Sequence, residues 1–272
     1  MSLVWNNDAA KRPTPPMTAQ MPTLADLTAD LRVAVSFSTR VPLNSGSATA
    51  GPDLARALWA LPIAGAGVGL FGAAVYWLAA RLGLPPLPAA TLSVAATMFA
   101  TGCLHEDGLA DVADGFGAGA TRERKLEIMR DSRIGTYGVC ALALALLLRA
   151  SAPASLMEPT CVAYALLAAH TGARAILPAF MWFVPPARRE GLSADTGRPA
   201  AASVIIAAVL GAIAVAVGLG PAPGLTAVVL VLLAAAFVAC LSLRQIEGQT
   251  GDVLGALEQV AEILILLVAA RI

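Results

Sequence analysis

Charge is what this sequence has least of. Only 13% of its 272 residues are Asp, Glu, Lys or Arg, about half of the ~25% usual in soluble domains. The 18 basic and 18 acidic side chains cancel, so no field of either sign favours a nucleic acid or an acidic partner. Two histidines are too few for a zinc centre built on imidazoles. Cys103, Cys140, Cys161 and Cys240 stand far apart in apolar stretches without CxxC or Cys/His spacing. That pattern excludes a disulfide framework and a thiolate metal site, and reads as small core residues. The amino terminus lacks an apolar signal core with a cleavage site. Residues 1–23, rich in Pro and Thr, read as a disordered cytoplasmic tail before one membrane-embedded catalytic domain, residues 24–272.

What the sequence does have is apolar runs. Hydrophobic residues make up 58% of the chain, more than one soluble core can hold, and a spanning helix needs about 20 of them in a row. Seven segments approach that length: Leu54–Leu82, Leu87–Leu104, Thr136–Leu148, Cys161–Val184, Ala200–Leu219, Gly224–Leu243 and Val253–Ala270. The pattern predicts an all-α polytopic membrane bundle of about seven transmembrane helices. Leu24–Phe37, interrupted by Asp26, Asp30 and Arg32, reads as an amphipathic helix lying at the interface. Fourteen of the 18 Lys and Arg flank one side of this arrangement, Arg81, Arg149 and Arg271 fall on the other, and Arg174 lies inside a span. The positive-inside rule then places the amino terminus in the cytoplasm. Gly67, Gly69 and Gly72 match GxGxxG but sit within a span, where close helix packing through Gly65 and Gly69 explains them better than a nucleotide.

The polar chemistry is concentrated after the second span, in His105-Glu106-Asp107-Gly108-Leu109-Ala110-Asp111-Val112-Ala113-Asp114-Gly115. Asp107, Asp111 and Asp114 follow an i, i+4, i+7 spacing that puts three carboxylates on one helix face. Like charges so placed repel unless a cation sits among them, and oxygen-only ligation suits Mg2+ or Mn2+. In the same loop lie Arg122, Arg124, Lys125, Arg130 and Arg133. Arg130 and Arg133 share a helix face able to fork onto phosphate, and Gly135 and Gly138 allow a substrate to approach backbone amides. Carboxylates for metal beside guanidiniums for phosphate are the parts of phosphoryl transfer. A second polar island, Gly248-Gln249-Thr250-Gly251-Asp252, opens the last helix. Its free N–H groups favour an anion there, and Asp252 could equally be an N-cap. Glu258 and Glu262 lie one turn apart within that helix, with Arg174 as candidate partner.

Taken in order, these motifs resemble the cobalamin synthase (adenosylcobinamide-GDP ribazoletransferase) family. The resemblance runs over nearly the whole chain after residue 24. It rests on Phe37-Ser38-Thr39-Arg40-Val41-Pro42, on Leu61-Pro62 with Gly65 and Gly69, and on the His105–Gly115 motif. It continues through Lys125–Gly138, Arg174, Arg189-Glu190-Gly191-Leu192 and Gly248–Asp252 with Leu254-Gly255. The resemblance implies transfer of the adenosylcobinamide-phosphate group to alpha-ribazole or its 5'-phosphate, with GMP as leaving group, in a bacterial inner membrane. It implies Mg2+, with Mn2+ as substitute, on Asp107, Asp111, Asp114 and Asp252. Arg40, Arg130, Arg133, Arg174, Gln249 and Thr250 would meet the substrate, and His105 or an aspartate such as Asp114 would accept the hydroxyl proton. Membrane lipid is the other expected partner, and no nucleic acid is.

Overall fold

The computed structural model describes residues 23–41, 43 and 51–272. The expected tail up to residue 22 and Pro42 of the first motif lie outside the described residues. Thirteen α-helices and no named strand occur among the described residues. They are α1 (Leu24–Ser38), α2 (Pro52–Ala57), α3 (Leu61–Arg81), α4 (Pro86–Thr101), α5 (Leu104–Ala118), α6 (Arg122–Ile128) and α7 (Thr136–Leu156), followed by α8 (Pro159–Ala175), α9 (Leu177–Phe183), α10 (Leu192–Thr196), α11 (Ala201–Leu219), α12 (Pro221–Ile246) and α13 (Gly251–Ala269).

Five stretches are long and apolar enough to cross a membrane: Pro52–Arg81, Thr136–Leu156, Pro159–Phe183, Ala201–Leu219 and Pro221–Ile246. A sixth follows if α4 and α5, bent by 91° to one another, count as one span. The expected count of seven is therefore not reached on length and composition. α13 is long enough, but Asp252, Glu258 and Glu262 within it exceed what an apolar segment carries. α4 alone is 16 residues long, about 24 Å at 1.5 Å per residue.

Side-chain size is distributed as a lipid solvent requires. The outer faces carry Leu70, Phe71, Leu147, Ile205, Val217, Leu233 and Phe237, all exposed, whereas alanines dominate the main buried cluster. With lipid outside there is no apolar gain from turning large residues inward, so small residues and close backbones decide the interior. Gly65 and Gly69 of α3 face α8. A Cβ on Gly65 would collide with the His170 carbonyl oxygen, and one on Gly69 would lie 2.6 Å from that of Leu166. The packing reading of these glycines holds. The cysteines do not follow expectation: Cys140, Cys161 and Cys240 are exposed on the bundle's outer faces and Cys103 is half-buried, because lipid accepts a thiol as readily as a core does.

α1 begins with a capping box between Thr23 and Asp26, which satisfies two otherwise orphaned donors. Its buried Asp30 accepts hydrogen bonds from Arg56 Nε at 2.7 Å and Trp59 Nε1 at 2.9 Å, fixing α1 against the start of the first long span. The α4–α5 corner is made by Gly102 (φ 67°) and Cys103 (φ 60°), both left-handed. Two such residues in succession end one helix and start the next in a new direction. The turn keeps the acidic motif out of α4.

The α3–α8 seam gives a direct test. Gly69→Val should destabilise the bundle by about 1–3 kcal/mol through overpacking. Gly67→Val, where nothing lies within 4 Å of the built Cβ, should be tolerated. Thermal unfolding midpoints in detergent distinguish the two, and equal midpoints would contradict this packing.

Candidate active site

α5 is helical over the whole acidic motif, so the i, i+4, i+7 face exists. Along it the carboxylates pass from exposed Asp107 through half-buried Asp111 to buried Asp114. The three then diverge in role. Asp114 Oδ2 accepts from the Gly135 N–H at 2.6 Å and Oδ1 from the Gly138 N–H at 2.9 Å. It therefore caps the start of α7, whose first N–H groups have no helical partner. The two glycines are close because Asp114 occupies the space a Cβ would need. The amides expected to greet a substrate are taken by Asp114.

Those neighbours meet α13. A Cβ on Gly108 would lie 2.8 Å from the Asp252 carbonyl oxygen, and one on Gly255 3.2 Å from the His105 backbone. Absence of side chains on both helices lets α5 and the beginning of α13 touch. Asp107, His105, Thr250 and Asp252 thereby line one cavity of about 250 Å³, together with Arg188 and Gln249. Thr250 caps α13, accepting from Val253 N at 3.3 Å, and its hydroxyl donates to Asp252 Oδ2 at 3.1 Å. Arg188 donates to the same oxygen at 3.1 Å.

The electrostatics show how crowded the acids are. Burial, then the charges of Asp107, Asp252 and Asp114, push the Asp111 carboxyl up to about 7, with Arg188 opposing. Asp252 stands in the same group of charges, accepting from Thr250 and Arg188 and lining the cavity together with Asp107. Asp107, Asp111 and Asp252, drawn from two helices, thus form one field, and Arg188 and Arg130 supply the opposing charge.

The other expected site residues fall elsewhere. Gln249 is buried. Its backbone bonds Pro185 and Ala187, and its side-chain oxygen accepts from Ser193 at 2.7 Å, so it anchors the 185–196 loop over the cavity. Arg130 is exposed, close enough for its charge to act on Arg188 and Asp252. Arg133 is turned onto Asp131 at 2.6 Å and is 87% exposed, which removes it from the forked pair expected with Arg130. Arg40 lies at the α4–α5 corner, 6.0 Å from the Phe99 ring and against Gly102. Arg122 donates to the backbone oxygens of Ile246 and Ala187, tying α6 to the end of α12 and the cavity's loop.

A second polar cluster lies deeper. Arg149, expected beyond the end of its span, is 2% exposed within α7. It binds Glu262 Oε1 at 2.7 Å, Glu106 Oε1 at 2.5 Å and Gln259 Oε1 at 3.0 Å. Its charge did not end the span because two carboxylates neutralise it there. Arg174 pairs with Glu258 at 2.6 Å, as its placement suggested, and so does not reach the cavity. His170 Nδ1 lies 3.2 Å from Glu262, and His105 Nδ1 3.4 Å from Glu258. Among the described residues, His170, Glu258 and Glu262 are the group of three metal-capable side chains whose ligand atoms all lie within 4.8 Å of one another. Both glutamates are already matched by guanidiniums, so the geometry is that of an ion-pair network. Sequence reasoning missed Arg149 and Glu106. For Arg149 the available signal was that Arg149 and Arg174 face Glu258 and Glu262 as charges within apolar stretches; for Glu106 there was none.

Helices long and apolar enough to cross a membrane, around a cavity lined by Asp107, Asp252 and Arg188, are those of a multi-pass membrane protein with a polar site. The model of the Cobalamin-5-phosphate synthase family matches residues 30–270. A protein of Bradyrhizobium diazoefficiens named adenosylcobinamide-GDP ribazoletransferase is 57% identical over 248 residues, covering 91% of this chain and 95% of its own length. Proteins of the same name from Mesorhizobium japonicum and Azorhizobium caulinodans are 53% and 48% identical, covering 89% and 88% of this chain and 92% and 94% of their own lengths. No solved structure matches. The chain belongs to the cobalamin-5-phosphate synthase family.

Two outcomes follow from this geometry. Arg149→Met should cost about 3–5 kcal/mol by leaving Glu106 and Glu262 buried without their guanidinium. Adding Glu106→Gln and Glu262→Gln should restore part of the lost detergent stability; no recovery would mean the network is not what Arg149 supports. For Asp111, the ordinary carboxyl value of 3.8 rises to about 7 on folding, so the folded chain binds this proton more tightly than the unfolded one. The charged form therefore burdens the fold increasingly as pH climbs from about 4 to 7. In metal-free buffer, Asp111→Asn should match wild type near pH 4 and be the more stable protein at pH 7 and above. Melting curves at several pH values check the sign.

Proposed function

We propose that this protein is an adenosylcobinamide-GDP ribazoletransferase: it transfers the adenosylcobinamide-phosphate group to alpha-ribazole or its 5'-phosphate, releasing GMP. The observation that carries the reading is the meeting of Asp107 on α5 with Asp252 on α13, beside Arg188, at a single cavity. Support from outside the molecule comes from relatives bearing that name along nearly their full length.

The donor set fits a hard divalent ion. Asp107, Asp111 and Asp252 offer only oxygen, and the crowding that raises Asp111 is what a cation would relieve. These residues would hold Mg2+, with Mn2+ as substitute; when bound, the ion supplies charge neutralisation for the diphosphate and for departing GMP. In the reaction, an acceptor ribose hydroxyl forms a new P–O bond to the phosphorus bearing cobinamide, and the bond from that phosphorus to the GMP oxygen breaks. His105, on the cavity wall, or an aspartate of the cluster takes the hydroxyl proton. Arg130 meets phosphate oxygens at the mouth, and Thr250 with the N-terminus of α13 presents donors to an anion. Asp114 and Gln249 act by holding α7 and the 185–196 loop in place.

In this reading residues 24–272 form one catalytic domain, and α4 and α13 both cross the membrane, for seven spans in all. The amino terminus and the cavity lie on the cytoplasmic side of the inner membrane, consistent with the bias of basic residues. α13 crosses because its acids are paired inside the protein.

Purified protein given Mg2+, adenosylcobinamide-GDP and alpha-ribazole should release GMP, and chelation should stop it. No release with any divalent metal would overturn the assignment. Asp111→Asn should lower turnover by about a hundredfold or more. Arg124→Ala, at an exposed arginine paired with Glu127, should leave turnover near wild type.

A further inference from the structure

The lining of the cavity divides into two sets of different chemistry. Asp107, Arg188, Glu190, Thr250 and Asp252 make a polar set; Leu54, Leu58, Leu61, Leu104, Leu177 and Met181 make an apolar one. Leu54, Leu58, Leu61, Leu177 and Met181 also belong to a buried apolar cluster, so this set is part of the packed protein. Two polar members of the lining, Gln249 and Ser193, bond to each other. The Gln249 side-chain oxygen accepts from Ser193, and its backbone is bonded to Pro185 and Ala187 on both sides.

We infer that the apolar set seats the base of the acceptor nucleoside, a flat, uncharged, alkylated bicyclic heteroaromatic ring, while the attached ribose lies toward Asp107 and Asp252. This rests on the function proposed above and names the subsite for one of its two substrates. Three groups compete for the space. A corrin macrocycle with its amide side chains is far too large for a cavity of about 250 Å³, which lies at the small end of ligand pockets. Guanine would fit by size, but its edge carries several donors and acceptors. Against aliphatic walls these would lose water and find no partner, a heavy penalty. A dimethylated benzimidazole has no such edge, and its methyl groups gain from leucine and methionine contact. Such a seat also sets direction: with the base held by the leucines, the ribose hydroxyls point to the carboxylates, where the phosphate must be met.

Kinetics with both substrates varied separately test this. Met181→Trp, which takes up space among the apolar residues, should raise the KM for alpha-ribazole by about tenfold or more and leave that for adenosylcobinamide-GDP within about twofold. A rise confined to adenosylcobinamide-GDP would overturn the inference. Leu58→Ala, which only enlarges the space, should shift the kcat/KM ratio toward the riboside of diethylbenzimidazole over the dimethyl form by about tenfold; an unchanged ratio would also overturn it. Binding of free dimethylbenzimidazole, followed by saturation-transfer NMR on the detergent-solubilised protein, separates the two readings. If wild type releases no GMP yet binds this base, and Met181→Trp does not, the seat stands and the assigned reaction falls. If wild type turns over but the base does not bind, the seat falls alone.

Discussion

Arg149 is the point on which the architecture turns. A guanidinium inside an apolar helix is tolerated only with its charge matched and its donors used, and here the partners come from other helices. Glu106 reaches it from α5, Glu262 and Gln259 from α13, and Thr97 from α4. The neighbouring pair of Arg174 and Glu258 adds α8. Five helices, α4, α5, α7, α8 and α13, are thus tied together through charge as well as through packing. Because Glu106 immediately precedes Asp107, the register of this network is also the register of the site.

The cavity inherits that order. Asp107 is one residue from an ion pair anchored in α7 and α13, and Asp252 opens the helix that contributes the network's other acids. Gly108 and Gly255 let the two backbones come together. The acidic face is consequently built by packing that is settled before any ligand arrives, which is how preorganised charge stabilisation works. Asp114, buried and committed to the amides of α7, shows the limit of a helical-face argument: three side chains can share a stripe and still face three surroundings.

Much of this was legible in the residues. Apolar runs located every long helix, Gly65 and Gly69 announced close packing, and the His105–Gly115 motif with Gly248–Asp252 marked both halves of the cavity. Arg174 and Glu258 were recognisable as partners because each lay in an apolar run. Other features were not legible, for physical reasons. The end of α7 was placed at Leu148 because an arginine reads as an interface residue unless its partners are known, and they sit 43 and 113 positions away. Arg133 looked like the mate of Arg130 by spacing, but Asp131 captures it locally. Arg188, which meets Asp252, belongs to a loop whose placement depends on Gln249 and Ser193, and no periodicity encodes that.

The order in which the network's members occur along the chain has its own effect on biogenesis. Arg149 and Arg174 emerge from the ribosome well before Glu258 and Glu262. Until α13 follows, both arginines lack an acidic mate from that helix, and only Glu106 has preceded them. Long basic side chains can wait with their heads at the lipid–water boundary. α7 and α8 therefore gain their full set of buried carboxylate partners only once α13, the last helix to be made, has joined them.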